Sequence, residues 1–360
     1  MLASSINPGI AEGSDLKVVY TPLNGTGNKP VRKILATIGI ENVYVVPEQE
    51  LPDGNFPTAP YPNPEIAQAF ECAFALADKV EPDLLLATDP DADRVGIAVK
   101  QKGSYRLMTG NEVGCMLLDY ILKGRIANGT LPEQPVAIKS IVSTPLADVI
   151  GKSYGVNIYS VLTGFKYIGE KIGCLEAEGK ESDFIFGFEE SYGYMGGSFV
   201  RDKDAVTASM LICEMAAYYK KQGKNLADVM DELYEKYGYY LTKVENFAFE
   251  GLAGMSKMKE LMDDLRANPF DSLGGRKVVA ISDILKSEKL TVATGEKEEI
   301  ALPKSNVLYY SLEGDCTAIV RPSGTEPKVK VYITAKGASA EQASAFAGEI
   351  IEDVKAKMGV

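Results

Sequence analysis

Residues 82–100 read PDLLLATDPDADRVGIAVK, and this stretch decides the fold class. The apolar run 84–87 predicts a strand buried on both faces, and residues 94–100 predict another strand. Between the two lies Asp89-Pro-Asp-Ala-Asp-Arg94, which places three carboxylates at alternate positions directly after a strand. Open α/β sheets place their ligands at the carboxyl ends of their strands. We therefore predict an α/β protein with a ligand-binding loop that begins at Asp89.

Strand-like and helix-like segments alternate outward from this stretch, which predicts right-handed βαβ units around mostly parallel sheets. In the first part of the chain the pattern predicts strands over 16–22, 42–48, 82–88 and 94–100 and helices over 29–39 and 64–80. After Gly103 the alternation restarts. The pattern then predicts helices over 111–122, 145–155 and 204–223, a loop and helix over 163–179, strands over 135–143 and 156–162, and a strand that runs into a loop over 183–194.

From about Leu241 the pattern changes to short strands and glycine-rich turns, with helices predicted over 255–268 and 339–358. This texture is typical of an α+β domain with an antiparallel sheet. The predicted fold class is therefore α/β, with two successive mixed or parallel α/β domains before a C-terminal α+β domain. The predicted organisation is a linker over 1–14 and domains over 15–103, 104–240 and 241–360.

Composition excludes several classes of function. The chain has 360 residues, and its 50 acidic residues against 38 basic ones give a net charge of −12. This balance disfavours nucleic acid and anionic membranes as partners, because both require a basic surface. The sequence contains no histidine, which excludes Ser-His-Asp triads, Cys-His dyads, histidine-bearing zinc sites and imidazole acid/base chemistry within this chain.

Cysteine usage and hydropathy bear on the compartment. The five cysteines are scattered and contain no C-x-x-C pair, which suits a reducing cytoplasm. No apolar run reaches the roughly 18 residues that span a bilayer. We therefore expect a cytoplasmic protein without a membrane partner.

The three aspartates of the 89–94 stretch repel one another unless a cation lies between them. Hard oxygen ligands on a tight loop suit Mg²⁺. An EF-hand is excluded, because its glycine position is occupied by Arg94 and its twelfth position by Lys100. An acidic turn without metal is the alternative, since Asp-Pro-Asp is common in turns. We favour the metal site, because a bare turn does not require three acids and an arginine after an apolar strand.

Other loops carry candidate binding groups. Residues 321–328, RPSGTEPK, combine an arginine fork, two hydroxyls and a glycine, which fit a phosphate cradle or a β-turn equally well. Residues 187–194, GFEESYGY, place glutamates and a serine at a strand end, where they fit either sugar hydroxyls or a structural turn. The weaker segments 163–166 and 201–204 supply cations near loops. The glycine turn at 25–29 lacks the Walker A and Rossmann patterns and is interpreted as a strand-to-helix turn.

Taken together, the order and spacing of these loops are similar to those of a known protein family. The order and spacing of TPLNGTGN, TDPDADR, TGFK, GFEESYGY, VRDKDA and RPSGTEPK resemble the α-D-phosphohexomutase family, the phosphoglucomutases and phosphomannomutases. The resemblance covers the chain from about Asp15 onward. It implies three α/β domains followed by a TATA-binding-protein-like domain, of which this chain is similar to the second, third and fourth.

The resemblance also implies an activity and its cofactors. It implies interconversion of hexose 1-phosphate and hexose 6-phosphate through a phosphoserine and a bisphosphate intermediate. Mg²⁺ would be the cofactor, and a sugar bisphosphate would activate the complete enzyme. The phosphosugar substrate and the missing N-terminal domain would be the partners of this chain.

The resemblance assigns roles to those residues of this chain that match the motifs of the family. Asp89, Asp91 and Asp93 correspond to the Mg²⁺ ligands of the family. The substrate-binding positions implied by the resemblance are Arg94, Lys166, Glu189, Ser191, Lys203, Arg321, Ser323, Gly324 and Thr325. Among these, Glu189 and Ser191 match the loop that grips ring hydroxyls, and 321–325 match the loop for the non-reacting phosphate.

This chain departs from the family in one large respect. The catalytic serine of the family lies in a Thr-Ala-Ser-His-Asn-Pro loop of the first domain, and a chain without histidine does not contain that loop. We therefore expect a truncated member without a catalytic residue of its own, which folds and binds phosphosugar weakly but lacks mutase turnover. Asn24 stands where many relatives have histidine, which alters a local hydrogen bond. The 163–166 and 187–194 loops are similar to the phosphoglucomutase and phosphopentomutase branch, so glucose phosphate is the first expected sugar and a pentose phosphate the second.

Two other functions stay open. In a Mg²⁺-dependent aspartyl phosphatase, Asp89 would be the nucleophile and Asp91 the acid/base, and the loops at 187–194 and 321–328 would have no role. In a non-catalytic sugar-phosphate-binding module or sensor descended from the mutase, all of these loops would keep a binding role.

Overall fold

The computed structural model describes residues 1–249, 254–324 and 326–358. The chain divides into two units, Met1–Leu233 and Tyr234–Val360. Among the described residues, no helix combines the length and the apolar character required to cross a lipid bilayer.

The first sheet of the Met1–Leu233 unit is mixed. Its strands and flanking helices are β1 (Val18–Thr21), α1 (Asn28–Thr37), β2 (Val43–Val45), α2 (Glu71–Val80), β3 (Leu84–Thr88), β4 (Val95–Gln101) and β5 (Ser104–Met108). The strand order is β2-β1-β3-β4-β5. β1 runs parallel to both β2 and β3, whereas β4 and β5 are antiparallel additions.

Parts of this sheet differ from the prediction. The sheet extends past the predicted boundary at Gly103, because Lys102 (φ 51°) and Gly103 (φ 89°) form a tight turn that folds β5 back on β4. The strand after the acidic stretch is antiparallel to β3, which agrees with the mixed sheet that the predicted fold class includes. The helix predicted from Pro64 begins as α2 at Glu71, since Ile66 is still extended and a 3-10 turn follows it.

The second sheet of this unit is also mixed. Its elements are α3 (Gly110–Ala127), β6 (Val136–Ser140), α4 (Leu146–Ser153), β7 (Asn157–Val161), α5 (Phe165–Ala177), β8 (Phe184–Glu189), β9 (Gly193–Met195), α6 (Ala205–Lys220) and α7 (Leu226–Tyr237). The strand order is β7-β6-β8-β9. β6 runs parallel to β7 and β8, and the short β9 returns antiparallel to β8.

Two side-chain caps position the helices next to the candidate site. Thr109 and Glu112 form a capping box at the start of α3, and the Asp204 carboxylate accepts from the N–H groups of Val206 and Thr207 at the start of α6. Such caps satisfy backbone donors that have no partner inside the helix. α6 is buried along most of its length, because it contacts α1, β3 and β4 as well as α3 and β9.

Residues 1–14, which the sequence predicts to be a linker, lie against α6 and α3. The buried carboxylate of Glu214 accepts from the backbone N–H groups of Ile6 and Asn7, each at 2.9 Å, and from the Tyr120 hydroxyl at 2.8 Å. The Ser5 hydroxyl donates to the same carboxylate. This segment is thus held by side-chain contacts with distant helices.

The Tyr234–Val360 unit is an antiparallel sheet with helices. Its elements are β10 (Tyr239–Ala248), α8 (Gly254–Ala267), β11 (Ser272–Leu273), β12 (Arg276–Asp283), β13 (Glu288–Thr291), β14 (Glu296–Glu299), β15 (Leu308–Leu312), β16 (Cys316–Pro322), β17 (Lys328–Gly337) and α9 (Ala340–Met358). The main strand order is β10-β17-β16-β15-β12-β13-β14. Apolar side chains of α8 and α9, such as Met262 and Ile350, pack with Val320 and Val331 of the sheet. The predicted fold class, two α/β parts followed by an α+β part, is confirmed.

Candidate functional site

The loop over 89–94, named here the acidic loop, brings three carboxylates together. Asp89, Asp91 and Asp93 each offer a carboxylate oxygen, and these oxygens lie within 4.8 Å of one another. The loop reverses the chain between the antiparallel strands β3 and β4, and Ala92 takes a left-handed φ of 59°. The alternate spacing in the sequence therefore becomes a cluster in the structure.

Asp89 is buried, with 8% of its surface exposed. Its Oδ1 accepts from the backbone N–H groups of Asp93 at 3.0 Å and Arg94 at 2.8 Å. Burial, together with the negative charges of Asp93 and Asp91, raises the pKa of Asp89 to about 7 in spite of the backbone hydrogen bonds. A cation between the carboxylates would relieve this repulsion.

Two cationic side chains already approach the acidic loop. The Arg94 guanidinium lies 3.9 Å from Asp89 and 3.7 Å from Asp93, and it contacts Glu65 at 3.1 Å. The Lys203 ammonium lies 2.8 Å from Asp93 Oδ2. The structure thus brings Lys203 to the acidic loop from a segment 110 residues further along the chain.

The glycine turn before α1 packs against the acidic loop and forms hydrogen bonds with it. The Thr26 N–H donates to the Pro90 carbonyl at 2.8 Å, and the Thr26 hydroxyl approaches the same oxygen at 3.1 Å. A Cβ at Gly25 would lie 2.3 Å from Pro90 Cα, so only glycine allows this approach. The sequence pattern predicts that this turn is a strand-to-helix connection, but it does not predict the contact of the turn with Pro90.

Glu189 lies at the end of β8 in the loop over 187–194, named here the glutamate loop. The residue is 5% exposed, and its Oε1 accepts from the Gly164 N–H at 2.5 Å. Burial, with the charge of Glu190, raises the pKa of Glu189 to about 7, and the Gly164 hydrogen bond and the nearby cations Lys203 and Arg94 act against that rise. This carboxylate is therefore near the same two cations that approach the acidic loop.

Backbone contacts join the acidic loop to the second sheet. Arg94 and Gly193 form an isolated antiparallel bridge, and the Val95 N–H donates to the Tyr192 carbonyl at 3.1 Å. The Ala205 N–H donates to the Ala92 carbonyl at 3.1 Å. The acidic loop, the glutamate loop and the start of α6 therefore form one connected arrangement within the Met1–Leu233 unit.

Two predicted binding residues lie at the margin of this arrangement. Ser191 is half-buried in the glutamate loop, directly before Tyr192, whose φ of 66° is left-handed. Lys166 is exposed, and its ammonium lies 4.9 Å from the ring centroid of its neighbour Tyr167. The binding roles of both residues stay predictions.

A polar network behind the glutamate loop was not predicted from the sequence. The Glu190 Oε2 accepts from the Ser140 hydroxyl at 2.9 Å and from the Ser143 hydroxyl at 3.4 Å, and the Glu190 N–H donates to Ser143 Oγ at 3.1 Å. Burial raises the pKa of Glu190. Lys139, which is buried, pairs with Asp148 at 3.1 Å beside this network. The signal in the sequence is the position of these serines, one at the last residue of β6 and one three residues later, because β6 is the strand that neighbours β8.

The loop over 321–328, named here the arginine loop, connects β16 and β17 in the Tyr234–Val360 unit. The Ser323 N–H donates to the Lys328 carbonyl at 2.8 Å, and the Glu326 N–H donates to Ser323 Oγ at 3.2 Å. Gly324 is exposed. Thr325, a predicted phosphate ligand, lies outside the described residues.

Arg321 has a cationic neighbour on the adjacent strand. Arg321 on β16 pairs in register with Lys330 on β17, so both side chains lie on one face. Like charges directly opposite each other are destabilising, and a bound anion would relieve them. Lys328 pairs with Glu326 within the loop. The arginine loop therefore presents cations, as the sequence predicts, and its role in phosphate binding stays a prediction.

The acidic loop fits a divalent ion by its donor set. Its carboxylate oxygens are the hard ligands that Mg²⁺ prefers, and they converge on a short loop. The repulsion that raises the pKa of Asp89 is also what such an ion would remove. The residues present therefore fit Mg²⁺.

Comparisons with known proteins match successive parts of the chain. Models of the phosphoglucomutase/phosphomannomutase family match residues 3–103 as alpha/beta/alpha domain II, residues 109–237 as alpha/beta/alpha domain III and residues 275–353 as the C-terminal domain. Together these matches cover most of the sequence.

Individual relatives agree with these models. A phosphoglucomutase of Staphylococcus epidermidis is 39% identical over 323 residues, which are 89% of this chain and 58% of the relative. The structure of pp63/parafusin, a phosphoglucomutase from Paramecium in its open form, matches 99% of this chain and 59% of that chain, with a TM-score of 0.67 and 16% identity. An Aspergillus fumigatus N-acetylphosphoglucosamine mutase, solved with GlcNAc-6P and magnesium, matches 97% of this chain and 63% of that chain, with a TM-score of 0.52 and 13% identity. This chain thus spans between 58% and 63% of the length of these relatives.

Proposed function

The chain belongs to the phosphoglucomutase/phosphomannomutase family, and from that membership we propose that it contributes the metal and substrate sites of a phosphohexomutase. The reaction would interconvert a hexose 1-phosphate and a hexose 6-phosphate, with glucose as the first candidate sugar. The observation that carries this proposal is the connection of the acidic loop to the glutamate loop through Arg94, Gly193 and Lys203.

The acidic loop would hold the divalent ion. Asp89, Asp91 and Asp93 would be its protein ligands, and Arg94 would keep two of these carboxylates oriented. A bound Mg²⁺ would supply positive charge that stabilises a phosphoryl group during transfer. The Aspergillus fumigatus relative was solved with magnesium, which supports the choice of ion.

The glutamate loop would bind the sugar ring. Glu189 is a buried acceptor held by the Gly164 N–H, so its free carboxylate oxygen can accept from a ring hydroxyl at small entropic cost. Ser191 would add a donor and acceptor beside it. Equatorial hydroxyls at carbons 3 and 4 present similarly when the sugar is reversed, which suits a reaction in which either phosphate must reach the same place.

The cations would hold the phosphate groups. Lys203 lies between the acidic loop and the ring of Phe165, where an ammonium can face a substrate phosphate. In the C-terminal unit, Arg321 and Lys330 present adjacent positive charges that suit the non-reacting phosphate. Ser323 and Gly324 would contribute a hydroxyl and an accessible backbone N–H.

The phosphoserine that begins the reaction is proposed to come from a segment outside this sequence. In the family reaction, a phosphoryl group moves from the serine oxygen to the free hydroxyl of a sugar monophosphate, and the resulting bisphosphate returns its other phosphoryl group to the serine. This chain contains no histidine and so no Thr-Ala-Ser-His-Asn-Pro loop. Its share of the relatives' length, 58% for the Staphylococcus epidermidis protein, supports the same proposal.

Calorimetric titration and a coupled assay test the proposal. With Mg²⁺ present, glucose 1-phosphate is expected to bind the wild-type chain, and the Glu189→Gln variant is expected to bind it at least about tenfold more weakly, as for loss of a hydrogen bond to a charged group. Mannose 1-phosphate, measured in parallel, tests the preference for glucose. Equal binding by wild type and Glu189→Gln would contradict the sugar-binding role.

The coupled assay follows conversion of glucose 1-phosphate to glucose 6-phosphate with glucose 1,6-bisphosphate as activator. The chain alone is expected to give no turnover, and turnover above background would contradict an external phosphoserine. Release of inorganic phosphate that the Asp89→Asn variant abolishes would instead identify an aspartyl phosphatase.

A further inference from the structure

We propose that Lys203 is a resident counter-cation of the acidic loop, which a divalent ion must displace from Asp93 in order to bind. The inference deepens the proposed function and rests on its metal site. It assigns to Lys203 a part in controlling when the acidic loop takes up its ion, in addition to the contact with a substrate phosphate proposed above.

The ion pair occupies the oxygens that a metal would use. Lys203 Nζ lies 2.8 Å from Asp93 Oδ2, and Arg94 Nε lies 3.7 Å from Asp93 Oδ1. Both oxygens of Asp93 therefore face a cation. An ion that binds Asp93 at the roughly 2.0–2.1 Å typical of Mg²⁺ competes with one of them, and the closer competitor is Lys203.

The position of Lys203 is built into the fold. Its side chain is only 15% exposed, its ammonium lies 5.4 Å from the ring centroid of Phe165, and its stem covers Gly193, where an added Cβ would meet Lys203 Cδ at 2.4 Å. A long, flexible side chain held in this way keeps its ammonium at the acidic loop, in contrast to an exposed surface pair.

The backbone of this segment is tied to the acidic loop itself. The Asp204 N–H donates to the Tyr194 carbonyl at 3.1 Å, and the Ala205 N–H donates to the Ala92 carbonyl at 3.1 Å. The Asp204 side chain caps α6. The backbone directly after Lys203 is therefore fixed next to the acidic loop, so the pair does not depend on chance approach of two mobile groups.

Charge balance explains why such a cation would be retained. Three carboxylates without a divalent ion would leave uncompensated negative charge around the buried Asp89. Lys203 and Arg94 supply two positive charges. When a divalent ion takes over Asp93, the ammonium keeps its 3.1 Å contact with the exposed Asp202 carboxylate and can turn towards an anionic substrate, so ion and phosphosugar should each strengthen the binding of the other.

Titration with Mn²⁺, followed by electron paramagnetic resonance of the free ion, measures the competition without any turnover. The Lys203→Met variant is expected to bind Mn²⁺ at least about fivefold more tightly than wild type, the lower end of couplings between interacting sites. Lys203→Gln, which also lacks the charge but keeps a polar end, is expected to change in the same direction and covers the case in which Lys203→Met does not fold.

The matched control is Arg201→Met, which removes a positive charge from the same segment. Arg201 pairs with Glu176 at 2.8 Å rather than with the acidic loop, so Mn²⁺ affinity is expected to change by less than about twofold, as for a screened surface charge. An equal increase of Mn²⁺ affinity in Arg201→Met and Lys203→Met would show that the net charge of the segment matters rather than competition at Asp93, and it would overturn the inference.

A second readout is the coupling between ligands. In wild type, saturating Mn²⁺ is expected to raise glucose 1-phosphate affinity at least about fivefold, and Lys203→Met is expected to reduce that factor towards one. Unchanged or weaker Mn²⁺ binding by Lys203→Met and Lys203→Gln would overturn the inference while leaving the metal site in place. Wild-type Mn²⁺ binding that the Asp91→Asn variant does not weaken would instead overturn the metal site itself, and the inference with it.

Discussion

The acidic loop and the arginine loop are both turns between antiparallel strands, yet they are supported in different ways. The acidic loop is held by distant segments: Thr26 binds the Pro90 carbonyl, and Ala205 binds the Ala92 carbonyl. In the arginine loop, the hydrogen bonds of Ser323 with Lys328 and Glu326 lie within the loop, and a bond from outside, that of the Phe249 N–H to the Pro327 carbonyl at 2.8 Å, is made on the far side of the hairpin from Arg321 in sequence.

This difference in support predicts which of the two loops is sensitive to substitution. A group of carboxylates near a buried Asp89 needs rigid support, because the charges repel one another and desolvation raises their energy. Cations on a partly exposed hairpin need no such support, since water screens them. Stability should therefore respond to changes around the acidic loop and hardly at all to changes in the arginine loop.

The largest effect is expected from Gly25→Ala. Its Cβ would lie 2.3 Å from Pro90 Cα, so the acidic loop must shift, with a loss of about 3 kcal/mol in the free energy of unfolding, the upper range for overpacking. Mn²⁺ affinity should fall with it. Gly324→Ala in the arginine loop is the control, because an added Cβ there meets no atom within 4 Å, and urea unfolding should detect no change. Equal stability of the two variants would refute the contrast between the loops.

A smaller loss is expected from Glu190→Ala. Removing this carboxylate takes away the acceptor that the Ser140 and Ser143 hydroxyls share. Because these hydroxyls also bond to each other at 2.9 Å, one buried donor is left without an acceptor, which costs about 2 kcal/mol of unfolding free energy. Glu190→Gln keeps an acceptor oxygen and should lose less than half as much. Chemical denaturation measures both variants. A loss in Glu190→Gln as large as in Glu190→Ala would show that the charge, rather than the hydrogen bonds, matters here.

The pH dependence of stability gives an intermediate effect. Because the pKa of Glu189 is raised to about 7 in the folded protein, the native state holds a proton that the unfolded state has lost. The stability that the protonated Glu189 carboxyl contributes is fully present below the pKa of the unfolded state and is lost as the pH rises through the pKa of the folded state. The free energy of unfolding should therefore fall by about 1–2 kcal/mol from about pH 5 to about pH 8. Glu189→Gln should reduce this slope by about half in denaturation curves, because Asp89, whose pKa is also raised to about 7, contributes the remainder. A slope that Glu189→Gln leaves unchanged would assign the proton to another group.

The smallest effect on stability is expected from Arg321→Ala. Arg321 faces Lys330 across the sheet, so its removal relieves a like-charge pair and should change the free energy of unfolding by no more than about 0.5 kcal/mol. Glucose 1-phosphate binding, measured by calorimetry, should nevertheless weaken, and Arg321→Lys should restore part of it. A loss of several kcal/mol in Arg321→Ala would show that this loop supports the fold as the acidic loop does.

The sequence predicts the parts of the site that depend on local spacing. Asp89, Asp91 and Asp93 lie within one short loop, so their cluster could be expected from the chain alone. The hydrogen bonds of Ser323 in the hairpin at 321–328 could likewise be expected, because they join near neighbours.

The rest depends on contacts between distant residues. Gly25 supports Pro90, and Lys203 pairs with Asp93, through packing that no local pattern encodes. The sequence pattern does not predict the β4–β5 hairpin, because the tight turn at Lys102 and Gly103 coincides with the predicted domain boundary. The helix α7 is likewise not among the predicted helices, although its buried positions follow helical spacing: Leu226, Val229, Met230 and Leu233.

Crystals of the chain grown with Mn²⁺ show, through the anomalous signal of the metal, whether the acidic loop binds a divalent ion. We expect a peak within about 2.6 Å of carboxylate oxygens from Asp89, Asp91 and Asp93, with Lys203 moved away from Asp93. A crystal in which Mn²⁺ binds elsewhere, while Lys203 and Asp93 stay paired and the three aspartates hold no ion, would rule out the acidic loop as the metal site.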